Sequence, residues 1–247
     1  MKKSLTYDDI QLVPRYSEIP SRNDIKLHTL LTKRYGLLNP IVASPMDTVC
    51  ELEMAWKMFR LGGVGCVHRF NTIEEQSEII KKLCHRIYIS EEPPFWMDWG
   101  VHLDDWHAEM QDVPIMAAIG VSEDDKKRAT KLVESGCNVI LIDVAHGHHK
   151  NVKHILEWCK KNLDDKVDYI AGNIATSEAA QELESWGVDG LRVGIGGGSL
   201  CTTRIKTGFG IPNVSCLEDI TSVSKTPVMA DGGIRTSGDI SKALALG

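Results

Sequence analysis

The residues most able to do chemistry lie in the run Gly194-Ile195-Gly196-Gly197-Gly198-Ser199-Leu200-Cys201-Thr202-Thr203-Arg204. Glycine-dense backbone reaches dihedrals closed to other residues and lets a ligand approach closely. Its N–H groups can cradle phosphate, and its carbonyls can hold a cation. Cys201 follows three residues after Gly198, with two threonines and Arg204 behind it. A neighbouring cation and oriented N–H dipoles lower a thiol's pKa and raise the share of thiolate that attacks electrophiles. A lone cysteine near one glycine is more often an inert core residue, but the density of this segment favours a reactive thiol. His146, His148 and His149 form a second concentration of functional groups. They lack the i, i+4 spacing of a helical metal pair, so no metal site is expected from them.

Something must position these groups, and the hydrophobic pattern says what. Short apolar runs at 40–44, 64–67, 114–119, 138–143, 168–172, 190–193 and 227–231 predict seven strands. Amphipathic stretches at 51–61, 122–135, 151–162, 177–186 and 237–246 predict helices between them, with a shorter one at 217–223 and another opened by a Thr72–Glu75 capping box and running to Leu83. Continuous Val/Ile/Leu runs mark strands buried on both faces of a parallel sheet. Polar residues cluster just after the strands: Ser44, His68 and Arg69, Asp143, Asn173, Gly194 onward, and Asp231. A (β/α)8 barrel carries its site on that rim, whereas a doubly wound sheet would gather its ligand at one switch point. The expectation is one TIM-barrel domain over 1–247, truncated after the seventh βα unit, because no eighth strand and helix follow before Gly247. A barrel in that state is either a fragment or closed by another chain, and it exposes two sheet edges.

Residues 1–38 read as an irregular segment wrapping the domain. Residues 86–112, with Pro93-Pro94 and Trp96, Trp99 and Trp106, read as a short irregular insertion. The net charge of −6 without a basic block argues against nucleic-acid and anionic-membrane partners. No apolar run reaches the roughly 18 residues of a membrane span, and no signal peptide leads the chain. The seven cysteines are scattered without a C-x-x-C pair, which suits a reducing, cytoplasmic setting better than zinc or a disulfide framework.

The segment Gly198-Ser-Leu-Cys-Thr-Thr-Arg204 resembles the active-site loop of the IMP dehydrogenase/GMP reductase family. Leu5-Thr-Tyr-Asp-Asp-Ile-Gln-Leu-Val-Pro14, Ala43-Ser-Pro-Met-Asp-Thr-Val49, Ala171-Gly-Asn173 and Ala230-Asp-Gly-Gly-Ile-Arg235 resemble further family motifs, in the family's order. The resemblance implies an oxidoreductase of purine nucleotide metabolism. It implies Cys201 as the nucleophile at purine C2 and Thr203 as a proton donor or relay. It implies contacts to a purine nucleoside monophosphate from Ser44, Met46, Ser199, Asp231 and Gly233, with Asp231 on the ribose hydroxyls. Asp143, Asn173 and Arg192 would line the nicotinamide of NAD, or of NADP in a reductase. The carbonyls of Gly196, Gly198 and Cys201 would bind potassium. A homotetramer is implied as well. Family dehydrogenases often insert paired CBS modules, for which 86–112 is too short. Ser44-Pro-Met-Asp-Thr-Val49 is the dehydrogenase form of its motif, while Arg204-Ile-Lys-Thr-Gly-Phe-Gly210 is closer to the reductase form. IMP dehydrogenase is the first expectation, GMP reductase the second, and an inactive nucleotide-binding fragment a third of a different class.

Overall fold

The computed structural model describes residues 3–89 and 113–247. A small antiparallel hairpin, β1 (Thr29–Leu30) and β2 (Gly36–Leu37), precedes the main sheet. Then come β3 (Val42–Ala43), α1 (Leu52–Arg60), β4 (Val64–Val67), α2 (Ile73–Ile89) and β5 (Met116–Ile119). They are followed by α3 (Glu123–Glu134), β6 (Val139–Asp143), α4 (Lys150–Asn162), β7 (Asp168–Ile174), α5 (Ser177–Trp186) and β8 (Gly190–Val193). The last are α6 (Thr203–Thr207), α7 (Asn213–Thr221), β9 (Val228–Ala230) and α8 (Ser237–Leu244). Strands β3 to β9 form one seven-stranded sheet in sequence order, and every neighbouring pair is parallel. This is a (β/α)8 barrel through its seventh βα unit, as the strand and helix rhythm predicts. The doubly wound alternative, with its reversal of strand order, is excluded.

Side chains alternate across the curled sheet, as a pleat requires. Met116, Ala118, Val139 and Leu141 point inward, while Ala117, Ile119, Ile140 and Ile142 pack against the helices. Local chemistry sets the helix ends. Ser122 and Asp125 form a reciprocal capping box at the start of α3, as do Thr236 and Asp239 at the start of α8. Gly187 ends α5 in the left-handed region with φ +94, which only glycine takes without strain.

Three expectations are corrected. The 1–38 segment is not irregular throughout, because its hairpin fills the N-terminal mouth of the barrel. Leu31, Tyr35 and Leu37 join the inward-facing strand residues. Arg34 Nε donates to Asp168 Oδ1 and Thr32 Oγ1 donates to Asp168 Oδ2, each at 2.7 Å. Two-residue strands leave no periodicity to read, and the tertiary anchor makes them. Second, α2 runs on through Arg86–Ile89, so the irregular stretch does not begin at 86. The rest of it, with Pro93, Pro94, Trp96, Trp99 and Trp106, lies outside the described residues. Third, the helix expected at 217–223 begins at Asn213, and α6 was not anticipated.

Candidate active site

The site is built where β6, β7, β8 and β9 end. Arg192 on β8 is 7% exposed and bridges two carboxylates. Its Nη1 donates to Asp143 Oδ1 at 2.6 Å, and its Nη2 donates to Asp231 Oδ1 at 3.0 Å. The other oxygen of Asp231 accepts from Asn173 Nδ2 at 2.6 Å, and the same amide nitrogen reaches Gly194 O at 2.7 Å. Four residues named from the sequence thus form one network across four strand ends. Burial raises the Asp143 carboxyl above its usual range, with the nearby charge of Asp231 adding to it, against the opposing cations Arg192 and Arg69. The ion pair is therefore a buried one and not a surface contact.

Asn173 lies at an irregular point of its strand. The Gly172–Asn173 peptide is cis, and the β7–β8 ladder shifts register between Gly172 and Ile174. Asn173 N donates to Val144 O at 2.8 Å, and Gly147 N donates to Asn173 O at 2.7 Å, which ties the loop after β6 to this point. A side chain at Gly172 would meet Arg192 Cβ at 2.6 Å, so glycine lets the two strands approach. The Asn173 Oδ1 atom is buried and without a hydrogen-bond partner.

The glycine loop adjoins this network. A Cβ on Gly232, which has φ +80, would lie 2.7 Å from Gly198 N. The turn carrying Asp231 therefore packs directly on the loop carrying the cysteine. Gly198 O accepts the Cys201 amide at 3.1 Å, closing a tight turn that leaves the thiol partly exposed. Sγ and Thr203 Oγ1 are hydrogen-bonded at 3.2 Å. That hydroxyl is the chief reason the thiol lies below its usual range. The Thr203 and Gly196 backbones and the Arg204 charge add to the effect against slight desolvation. Burial drives the other six cysteines the opposite way, with Cys50, Cys137, Cys159 and Cys216 pushed up to about 12.

Ser199 is exposed at the loop tip, and Gly233, with φ +75, continues the Asp231 turn. Ser44 and Met46 occupy the turn after β3, where Met46 N donates to Ser44 O at 2.8 Å and Met46 O accepts Cys50 N at 3.0 Å. The hydrogen bonds around Arg192 do not extend to them. The histidine cluster has other occupations. His149 caps α4 by accepting from Asn151 N, and His148 Nε2 pairs with Glu182 at 2.8 Å. Among the described residues no group of three His, Cys, Asp or Glu side chains could hold a metal. His68 is buried, and Phe70 N donates to its Nδ1, so Nε2 carries the proton and donates to Glu51 at 3.1 Å.

One residue escaped the sequence reading. Asn213, 5% exposed, donates from Nδ2 to the carbonyls of Asp231 at 3.3 Å and Gly232 at 2.5 Å. Pro212 just before it was the available signal, since proline commonly opens helices.

The model of the IMP dehydrogenase / GMP reductase domain matches residues 4–247. An inosine-5'-monophosphate dehydrogenase of Cryptosporidium parvum is 41% identical over 99% of this chain and 65% of its own length. A GMP reductase of Leishmania donovani is 32% identical over all of this chain and 73% of its own. The chain therefore spans about two thirds to three quarters of these relatives. Crystal structures of Trypanosoma brucei GMP reductase superpose on the whole chain at 29% identity. A C318A variant gives a TM-score of 0.85 over 79% of its length, and a complex with guanosine 5'-monophosphate gives 0.84 over 75%. On the match to the family's domain, the order of its strands and the thiol beside its glycine loop, this chain belongs to the IMP dehydrogenase/GMP reductase family of oxidoreductases.

Proposed function

We propose that the chain carries the barrel of an IMP dehydrogenase, oxidising IMP to XMP with NAD through a covalent bond from Cys201 to purine C2. The observation that carries this reading is the partly exposed Cys201 thiol, held below its usual pKa by Thr203 on a loop packed against the Asp231 turn. A soft thiolate suits addition to the electron-poor carbon between two ring nitrogens. The tetrahedral adduct loses hydride, leaving a thioimidate on Cys201. Water then hydrolyses it to XMP and returns the thiol. Thr203, hydrogen-bonded to the thiol, would donate or relay the proton. Asp231 keeps acceptor capacity for the ribose hydroxyls because Arg192 and Asn173 each engage only one lone pair of its oxygens. Ser199 and the Gly233 N–H would meet the phosphate, and Met46 and Ser44 the base side.

The nicotinamide coenzyme supplies the hydride acceptor. The unpartnered, buried Asn173 Oδ1 fits a carboxamide N–H donor, with Asp143 and Arg192 beside it. Carbonyls of Gly196, Gly198 and Cys201 are the kind of donor set a monovalent cation takes, and potassium there would share Gly198 O with the Cys201 amide. The same reading makes the protein a cytoplasmic homotetramer, to be tested by sedimentation. The 41% identity to a dehydrogenase favours that branch. The reductase reading, GMP to IMP and ammonia with NADPH, is favoured by Lys206-Thr207-Gly208 and by the resemblance to solved reductases. Absorbance at 340 nm decides between them. A rise with IMP and NAD supports the dehydrogenase, a fall with GMP and NADPH supports the reductase, and neither change supports a nucleotide-binding fragment.

A further inference from the structure

We propose that Asn213 is a positioning residue that sets the spacing between the glycine loop and the Asp231–Gly233 turn for a nucleotide's phosphate monoester. The proposal deepens the function given above and rests on it. The turn contains two successive glycines at positive φ, Gly232 at +80 and Gly233 at +75. Backbone of this kind has little preference of its own and needs an outside tie to keep one shape. Asn213 supplies it, because one amide nitrogen takes the carbonyls of both Asp231 and Gly232. A Cβ on Gly233 would lie 3.1 Å from that nitrogen.

The other end of the amide faces the opposite wall. A side chain on Gly197 would overlap Asn213 Oδ1, so the glycine loop lies directly against that oxygen. Oδ1 is buried and has no hydrogen-bond partner. A buried acceptor left unmade is costly, so an apolar side chain of similar size would serve stability better. What such a side chain could not do is hold the turn's two carbonyls while abutting the loop that leads to Cys201. Tyr7, buried on the same side, backs the amide from the N-terminal segment, its phenol against the Asn213 side chain.

The test is iodoacetamide labelling of Cys201, read by mass spectrometry and titrated with IMP or with inosine, on the chain and on N213A and N213L. N213L keeps the bulk and removes the donor without adding a charge. In both variants the IMP concentration giving half protection should rise by about tenfold, the effect of one lost positioning hydrogen bond. Half protection by inosine, which lacks the phosphate, should stay nearly constant, as should the labelling rate without ligand. Should N213A not fold by circular dichroism, N213L and N213S carry the comparison. Folded variants protected by IMP as well as the unsubstituted chain overturn the proposal. So does an equal weakening for IMP and inosine, which would mean a merely structural role. If IMP fails to protect the unsubstituted chain, the nucleotide reading itself falls and takes this inference with it.

Discussion

Two residues govern the reactivity of the candidate site. Thr203 makes the Cys201 thiolate available, and Arg192 holds the carboxylates of Asp143 and Asp231 together. At pH 7, limited iodoacetamide should therefore label Cys201 ahead of the buried cysteines. T203A should slow that labelling and move its pH profile to higher pH, because the largest stabiliser of the thiolate is gone. An unchanged profile would remove Thr203 from the account. R192A leaves Asp143 and Asp231 facing each other without their shared cation. It should cost about 3–5 kcal/mol in urea unfolding, the usual result of breaking a buried ion pair from one side. R192K should restore only part of that loss, because an ammonium cannot fork to two carboxylates as a guanidinium does.

Helix ends and strand ends carry the element-scale argument. The α3 cap is reciprocal: Ser122 N donates to Asp125 Oδ2 at 2.9 Å, and Asp125 N donates to Ser122 Oγ at 3.3 Å. Asp125 also accepts Gly120 N at 2.8 Å, which ties the helix back to β5. Replacing Ser122 by alanine should cost about 1 kcal/mol. Burial opposes the Asp125 carboxylate, but these hydrogen bonds together outweigh it and hold its pKa below the ordinary 3.8. A carboxyl whose folded pKa is depressed stabilises the fold above its unfolded pKa. That contribution is lost as pH falls below about 4 toward the folded value. D125N should flatten the acid limb of a stability–pH curve in that window, and a curve identical to the unsubstituted chain's would contradict the assignment.

For the whole molecule, the hairpin at the N-terminal mouth and the rim at the C-terminal mouth divide the labour of stability and function. Leu37 is 2% exposed inside the barrel, among Val64, Met116, Val139 and Leu141. Leu37→Ala should cost about 2–5 kcal/mol through lost burial and the cavity left behind. It should leave the rate of Cys201 labelling in the folded protein unchanged, since the two ends are separated by the packed interior. A labelling rate altered in the folded variant would show that the plug and the rim are coupled.

The sequence by itself determined the seven strands, their parallel order and the loop that carries the thiol. Those features follow from local hydrophobic runs and from glycine density, which need no tertiary partner to be read. Polar residues after apolar runs marked Asp143, Asn173 and Asp231, and the family resemblance added Arg192, which lies inside its strand. Only the tertiary structure decided that these four form one network, since Arg192 reaches carboxylates 49 and 39 positions away along the chain. It likewise decided the hairpin plug, held by Asp168 from 134 residues away, and the part played by Asn213. Two-residue strands and a single amide leave no periodic trace; what fixes them is contact made after the barrel has curled.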